Sequence, residues 1–246
     1  MKSTIRPDYG VDAPHVLRNF FIIGLVCVVA GMLSPLEIHL GRSVSVYAKP
    51  LFFWPAGILL AEALLFLLYV RVGKFRHRDL MLSLHAWQGD EQVLDVGCGR
   101  GLLLAGAAHR LRSGHATGID VWSNEDMGGN SPEATQQNLL LESVDGLCTL
   151  KSEGAQAMSF ADGSFDVALS NLCLHNIYDR AARQTAVAEI ARVLKPGGLA
   201  LLSDYKLTAQ YAQQLQEAGF LVERKRGSLL TTFPPLTIVI ARKPMA

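Results

Sequence analysis

The sequence predicts an α/β domain with a seven-stranded sheet and helices on both faces, preceded by two transmembrane helices. Three observations lead to this prediction. Two long apolar stretches lie within the first seventy residues, and from about residue 90 short apolar runs alternate with helical stretches. A glycine-rich turn follows the first of these runs and leads directly into an apolar helix.

The two apolar stretches run from about residue 20 to 36 and from about 51 to 70. Each approaches the roughly 20 helical residues that cross a hydrocarbon layer of about 30 Å. The chain is also more apolar than most soluble enzymes, with 50% apolar and 18% charged residues and a mean hydropathy of +0.22. We therefore expect a membrane-anchor region over 1–78 and a catalytic domain over 79–246.

Apolar stretches of this length can also arise without a membrane hairpin. A cleaved signal peptide is the alternative for the first stretch. Two buried or interfacial helices of the catalytic domain are the alternative for both. Glu62 lies near the middle of the second stretch, where an ionisable group is expected to be protonated, paired or turned away from lipid. A role for Glu62 in binding a polar ligand or a partner helix is the other interpretation.

Positive charge predicts the orientation of the hairpin. Only Arg42 and Lys49 lie in the connecting loop, whereas more positive charges flank the pair on its outer sides. These outer charges are Lys2, Arg6, Arg18, Arg71, Lys74, Arg76 and Arg78. Because such charges favour the cytoplasmic side of a membrane, we expect a two-span membrane protein with a cytoplasmic catalytic domain.

The remainder of the chain alternates between strand-like and helix-like segments. Seven apolar runs predict strands at 91–96, 115–120, 147–152, 165–170, 199–204, 220–225 and 236–241. Helical segments between the earlier runs cover 102–112, 131–143 and 179–194. Ser131 and Pro132 are typical of an N-cap followed by the first helical position. This alternation predicts a parallel sheet covered on both faces.

Charge and cysteine content narrow the class of function. The formal net charge is +1, and the sequence has no basic stripe, so we do not expect a nucleic-acid partner. The four cysteines lie far apart, without a CxxC pair or a metal-like spacing to histidine. We expect reduced thiols and no metal site.

The most informative segment is Val93–Gly101, with the sequence VLDVGCGRG. Glycines at 97, 99 and 101 let the backbone approach a ligand closely, and the helix that follows offers free N–H groups. The dinucleotide fingerprint would need glycine at position 102, where leucine stands. A nicotinamide or flavin enzyme is therefore disfavoured.

With its VLDxGCGxG signature, this segment resembles the class I S-adenosylmethionine-dependent methyltransferases, in particular the small-molecule, type 11-like branch. Three further markers stand in the order typical of that family: Gly118–Asp120, Phe160–Asp166 and Leu194–Gly198. The resemblance covers roughly residues 79–243. It implies a Rossmann-like methyltransferase sheet, S-adenosyl-L-methionine as the cofactor and methyl transfer as the reaction.

The resemblance also implies site residues. Asp95 would orient the methionine amino group of the cofactor, although a role in bracing the glycine turn is the alternative. Asp120 would accept hydrogen bonds from the ribose hydroxyls. The methionine and ribose portions would be lined by Gly97, Gly99 and Gly101.

Asn171 would face the methionine end of the cofactor. Members of the family commonly carry an acidic residue near the adenine amino group, and this sequence departs from that pattern. Backbone at Gly154 and Ala155 would contact adenine instead, with Glu153 or Gln156 as a substitute for the missing carboxylate.

His175, just beyond the fourth strand, is the candidate catalytic residue. It is a candidate general base, needed only if the acceptor loses a proton; a capping or packing histidine is the alternative. Cys173 is expected to pack rather than react. Asp204 and Tyr205 are expected to brace the fifth strand end or to line the acceptor pocket.

The acceptor pocket has several candidate walls. Trp122, in the loop 121–132, would lie against adenine or brace the fold. Segments 232–235 and 77–87, together with the membrane helices, are candidates to complete the pocket. We therefore expect a small-molecule or lipophilic acceptor that arrives from the lipid bilayer. A catalytically silent cofactor-binding scaffold and a nicotinamide-dependent oxidoreductase are the alternative functions.

Overall fold

Two antiparallel helices begin the fold, α1 (Pro14–Leu33) and α2 (Ala48–Leu68). The structure is a computed structural model, and it describes residues 6–39, 45–123, 127–228 and 231–245. Between the helices lie two short antiparallel strands, β1 (Glu37–His39) and β2 (Ser45–Tyr47). Arg42, which contributed to the predicted orientation, lies outside the described residues.

Small residues let α1 and α2 pack closely. A Cβ atom on Gly24 would lie 2.9 Å from Cγ of Leu60, and one on Gly31 would lie 3.0 Å from the Phe53 ring. Glycine at helix interfaces is typical of helices that pack within a bilayer, where close backbone contact replaces the hydrophobic effect. The glycines in the first stretch therefore serve the contact between the two helices.

Most of the hairpin surface is apolar and faces outward. In the most apolar 18-residue stretch of α1 only 11% is buried, and in the corresponding stretch of the second helix 17% is buried. Large side chains such as Leu33 and Trp54 are 81% and 74% exposed. Two of the described helices are thus long and apolar enough to cross a membrane, and they are not core helices of the domain.

The second helix does not end at the predicted residue 70. It continues through a π-helical turn (Tyr69–Gly73) into α3 (Lys74–Leu82). Met81 and Leu82 are fully buried against the sheet, and Nε2 of His77 lies 2.6 Å from Oγ of Ser203. The boundary expected between residues 78 and 79 therefore falls inside one helix that joins the hairpin to the domain.

The domain is built on seven strands whose positions agree with the predicted runs. They are β3 (Gln92–Val96), β4 (His115–Asp120), β5 (Cys148–Ser152), β6 (Phe165–Asn171), β7 (Leu194–Asp204), β8 (Leu221–Arg226) and β9 (Thr237–Arg242). Their order in the sheet is β5-β4-β3-β6-β7-β9-β8. The ends of β3, β4, β6 and β7 meet at one edge of the sheet, as expected for parallel strands.

The sheet is parallel from β5 to β7, as expected, and departs from the predicted parallel pattern at β9, which runs antiparallel to both β7 and β8. The ten residues 227–236 join β8 to β9, and the N–H of Gly227 donates to the carbonyl of Leu236 at 2.7 Å. A connection this short closes a hairpin, whereas a parallel pair needs a longer crossover.

Helices cover both faces of the sheet, as predicted. On one face α3 packs with α4 (Leu102–Ala108) and α5 (Pro132–Leu141), and on the other lie α6 (Arg180–Val193) and α7 (Thr208–Glu217). The Ser131 cap is confirmed, since its Oγ accepts a hydrogen bond from the N–H of Ala134 at 3.1 Å. Helix α7 was not among the predicted helices.

Candidate active site

The glycine turn between β3 and α4 forms one wall of the site. Gly97, Gly99 and Gly101 have φ angles of 72°, 53° and 82°, which lie in the left-handed region that favours glycine. A Cβ atom at Gly97 would collide with Sγ of Cys173. The N–H of Gly99 donates to Oδ2 of Asp120 at 2.8 Å, which ties the turn to the end of β4.

The third glycine lies against helix α5. Gly101 faces α5, where a Cβ atom would lie 3.0 Å from Cγ2 of Thr135. Thr135 also donates from its hydroxyl to the carbonyl of Gly99 at 2.7 Å. Gly101 therefore permits close packing of α5 on the turn, while Gly97 and Gly99 face the cavity.

A cavity of about 740 Å³ extends from the glycine turn to the base of the hairpin. It brings together most of the residues that the sequence nominated: Gly97, Gly99, Asp120, Gly154, Ala155, Asn171 and His175. A smaller cavity of about 60 Å³ adjoins the turn and is lined by Asp95, Gly97, Gly99 and Asn171 among others. The predicted site residues thus surround two neighbouring spaces, with Gly101 set behind them.

Asp95 ends β3 beneath the turn, where it is 1% exposed. Among the described residues neither carboxylate oxygen has a hydrogen-bond partner of normal geometry. Burial, with a smaller contribution from the charge of Asp120, raises the pKa of Asp95 to about 8. A buried carboxylate without a donor is suited to a cationic ligand.

Asp120 lies at the end of β4 and serves two purposes. Besides the bond from Gly99, its Oδ1 accepts from the N–H of Trp122 at 2.6 Å and from Nδ2 of Asn130 at 3.3 Å. The carboxylate also lines the large cavity. It therefore braces the turn while it faces the space where a ribose would lie.

Gly154 and Ala155, the residues expected to contact adenine, line the large cavity. Glu153 accepts hydrogen bonds from the N–H and hydroxyl of Ser159 at 3.2 Å each. Because that carboxylate is occupied, Gln156 is the better candidate to replace the missing acidic residue.

His175 lines the large cavity from a short 3₁₀ turn after β6. Its Nδ1 lies 2.8 Å from Oδ1 of Asp204, although no hydrogen bond of normal geometry joins the two atoms. The backbone N–H of His175 donates to the same carboxylate at 3.3 Å, and the Tyr205 ring packs edge-on at 4.7 Å. With Nδ1 turned to Asp204, Nε2 lies on the opposite side of the ring.

The contacts of Cys173 and Trp122 favour structural roles for both side chains. Burial strongly raises the pKa of the Cys173 thiol, and its Sγ fills the space beside Gly97, which favours packing over reaction. Trp122 packs against the core, and its Nε1 donates to Oγ of Ser152 at 2.8 Å. These contacts favour the bracing role. Residues 124–126 of the same loop, which include two carboxylates, lie outside the described residues.

The structure adds cavity residues that the sequence analysis did not nominate individually. Val16 and Phe20 of α1, Phe66 of α2 and Tyr69 of the π turn line the large cavity, as does Asp12. The segment 232–235 contributes Phe233 and Pro234, as expected. The segment 77–87 contributes Arg78 and Met81 to the small cavity, and His77 contacts Ser203 of β7. In the sequence, aromatic residues at the ends of the apolar stretches were the feature that could have indicated these cavity-lining positions.

Comparison with known proteins supports the expected chemistry. Residues 94–202 match the family model described as a methyltransferase domain. An uncharacterised protein of Haemophilus influenzae is 28% identical over 174 residues, which cover 68% of this chain and 64% of that protein.

Two named relatives are similar over shorter ranges. The 2-methyl-6-phytyl-1,4-hydroquinone methyltransferase of a Synechocystis species is 33% identical, over 46% of this chain and 31% of that protein. The ubiquinone/menaquinone biosynthesis C-methyltransferase of Shewanella piezotolerans is 29% identical, over 57% and 53%. The chain therefore spans from about a third to two thirds of the length of these curated relatives.

Solved structures share the fold. An O-methyltransferase family protein from Burkholderia thailandensis superposes with a TM-score of 0.60 at 15% identity, over 94% of this chain and 71% of that one. The [4+2]-cyclase SpnF superposes with a TM-score of 0.59 at 19% identity, over 96% and 100%. The seven-stranded methyltransferase sheet is thus confirmed, and the family match supports a methyltransferase domain.

The glycine turn gives a first prediction. Substitution Gly97→Ala places a Cβ atom against Cys173 and strains a left-handed residue, so we expect a loss of about 1–3 kcal/mol of unfolding free energy. We also expect loss of cofactor binding, measured by calorimetric titration in detergent. Gly146→Ala is the control, because a Cβ atom there meets nothing within 4 Å. Unchanged cofactor affinity in Gly97→Ala would contradict the assignment of this turn.

Asp95 gives a second prediction, on pH. Its pKa in the folded state, about 8, lies above the value in an unfolded chain, so between about pH 4 and 8 the folded protein binds more protons. The contribution of Asp95 to stability is therefore lost as pH rises from 5 to 8. A cationic amino group favours the ionised form, so cofactor binding should tighten over the range 6–8.

Thermal unfolding and titration at several pH values measure both trends, with Asp95→Asn as the comparison. The wild-type protein should show a steeper fall in stability with pH than this variant. Parallel pH profiles for the two proteins would mean that Asp95 does not titrate in this range.

Proposed function

We propose that the chain is an S-adenosylmethionine-dependent methyltransferase that is held at a membrane by the α1–α2 hairpin. Its acceptor is a small lipophilic molecule, methylated at the cytoplasmic face of the bilayer. The observation that carries this proposal is the continuity of one cavity from the glycine turn to the base of the hairpin.

The two ends of the cavity differ in chemistry. Near the glycine turn its lining includes Asp120 and Asn171, whereas near the hairpin it is lined by Phe20, Phe66 and Phe233. The rings of Phe66 and Phe233 pack edge-on with centroids 6.4 Å apart. An aromatic wall of this kind suits an apolar acceptor, and a polar end suits a nucleoside with an amino-acid tail.

The residues at the polar end of the cavity are suited to the cofactor. Buried acceptor atoms of Asp95 and Asn171 have no donor among the described residues, and a side chain at Gly97 has no room. When bound, S-adenosylmethionine supplies a methyl group on an activated sulfonium. The protein then has to align the acceptor with that methyl group and exclude water.

Asp204 supports a proton-transfer role for His175. The carboxylate beside Nδ1 favours the tautomer with a proton on that atom, which leaves Nε2 free to accept one. A hydroxyl acceptor would lose its proton to Nε2 as its oxygen attacks.

The membrane location rests on the exposed apolar surface of the hairpin and on nearby charge. Arg71 and Arg76 are exposed and Arg78 is half-buried just beyond the second span. Lys74, another of the flanking positive charges, is buried in the protein and bonded there. The remaining charges still favour a cytoplasmic domain.

The named relatives agree with a lipophilic acceptor. One is named for a phytyl hydroquinone, and a phytyl chain partitions into lipid. The other is named for the biosynthesis of ubiquinone and menaquinone. A hairpin beside an apolar cavity would give such molecules a short route from the bilayer to the site.

Methyl transfer with labelled cofactor tests the proposal. The full chain, reconstituted in vesicles, is incubated with lipid extracts and separately with water-soluble metabolites. We expect label in the organic phase for the wild-type protein and none for Gly97→Ala. Label confined to water-soluble products would refute a lipophilic acceptor, and a chain that binds NADH but not S-adenosylmethionine would refute methyl transfer.

His175 gives a separate prediction. For an acceptor that loses a proton, His175→Gln should lower the turnover by about 10²–10⁴-fold while the affinity for the cofactor stays unchanged. Turnover is measured with labelled cofactor, and affinity by titration. His109→Gln is the control, because that side chain lies on the surface and pairs with Glu142. Turnover at the wild-type level in His175→Gln would show that this histidine only packs.

A further inference from the structure

The segment that precedes α1 lies against the glycine turn and is firmly held there. Oδ2 of Asp8 lies 3.0 Å from Nη2 of Arg100, and the Tyr9 hydroxyl donates to Oε1 of Glu142 at 2.7 Å. Asn138 bonds both the N–H and the carbonyl of Asp8 at 2.9 Å. Residues 8–12, here called the strap, are thereby fixed to α5 and the turn.

The helix beyond the second span holds the strap from the other side. Nζ of Lys74 donates to the carbonyls of Tyr9 and Gly10 at 2.9 and 2.6 Å, and the lysine is 6% exposed. Asp12 pairs with Met127 in an isolated antiparallel bridge. The strap is therefore a fixed wall of the small cavity of about 60 Å³ beside the glycine turn.

Unpaired polar atoms converge on this small cavity. Oδ2 of Asp12, both carboxylate oxygens of Asp95 and Oδ1 of Asn171 are buried and receive no hydrogen bond of normal geometry from any described residue, although the backbone N–H of Leu104 faces Asp95. Nε of Arg100 is a buried donor that likewise lacks an acceptor among the described residues. All four residues line the cavity, together with Tyr69, whose hydroxyl shares a hydrogen bond with Asn171.

This set of atoms matches one kind of ligand. Several acceptors without donors call for a group with many protons and no lone pair, which describes an ammonium. One guanidinium nitrogen without an acceptor calls for an anion, such as a carboxylate. An amino-acid zwitterion carries both groups on one carbon atom.

We propose that Asp12 binds the α-ammonium group of the methionine end of the cofactor, beside Asp95 and Asn171, while Arg100 receives its carboxylate. The inference rests on the proposed function, since it takes S-adenosylmethionine as the ligand. It makes the strap before the first span part of the cofactor site. The hairpin region then completes that site in addition to anchoring the domain.

The charges around Asp12 agree with this role. Lys74 is a cation that acts on Asp12, and Tyr69 faces Asp12 from the π turn. The ammonium of this lysine donates to the backbone carbonyls of Tyr9 and Gly10. A ligand ammonium would supply the donor that Oδ2 of Asp12 lacks among the described residues.

Calorimetric titration of Asp12→Asn with two ligands tests the proposal on the full chain in detergent. The ligands are S-adenosylhomocysteine and its desamino analogue, which lacks only the ammonium. Loss of one charged hydrogen bond should weaken the binding of S-adenosylhomocysteine by about ten- to a hundredfold. The affinity for the desamino analogue should stay as in the wild-type protein.

Asp79→Asn is the matched control, because Asp79 lies on α3 but its side chain is 56% exposed and pairs with Arg78. If Asp12→Asn fails to fold, Asp12→Ser removes the same charge. Equal weakening of both ligands, or of neither, would overturn the role of Asp12. A wild-type protein that binds neither ligand would instead refute the proposed cofactor, so the two failures are distinct.

Discussion

The close approach of the chain at Gly97 is the constraint on which the rest of the site depends. With no room for a side chain beside Cys173, the backbone bends sharply between β3 and α4 and leaves Asp95 beneath the bend. The bond from Gly99 to Asp120 fixes the outer limb of the bend. Polar atoms are thereby held apart from protein donors, at the cost of stability, in positions where a ligand can satisfy them.

Most strands of the sheet could be predicted from the sequence, because buried strands consist of short apolar runs bounded by turn residues. Helix α7 was missed although Tyr211, Ala212 and Leu215 form a buried stripe, since its other positions are polar and look like a loop. The reversed direction of β9 follows from the length of one connection, which the strand pattern alone does not convey. The end of the second helix was misplaced because charged residues after position 70 look like a membrane boundary, yet Lys74 and His77 are buried against the domain.

The site was predictable where a motif ties chemistry to position. Asp95, Gly97 and Asp120 were found in this way, and His175 was found from its place beyond β6. Asp204 lies beside His175 because β6 and β7 are neighbours, with Asn171 opposite Ser203. Asp12 could not be predicted, since it belongs to no motif and reaches the cavity only through tertiary contacts. The assignment of ligand roles to these residues stays a prediction.

The π turn at Tyr69–Gly73 sets the rotational register between the hairpin and the domain. Each residue of a regular helix advances by about 100°, so one extra residue in a wide turn changes which side faces inward. Here the turn lets Phe66 and Tyr69 face the cavity while Met81 and Leu82 face the sheet. A helix without that wide turn would present its aromatic side chains in a different direction, so the position of this cavity wall depends on a local irregularity of helical pitch.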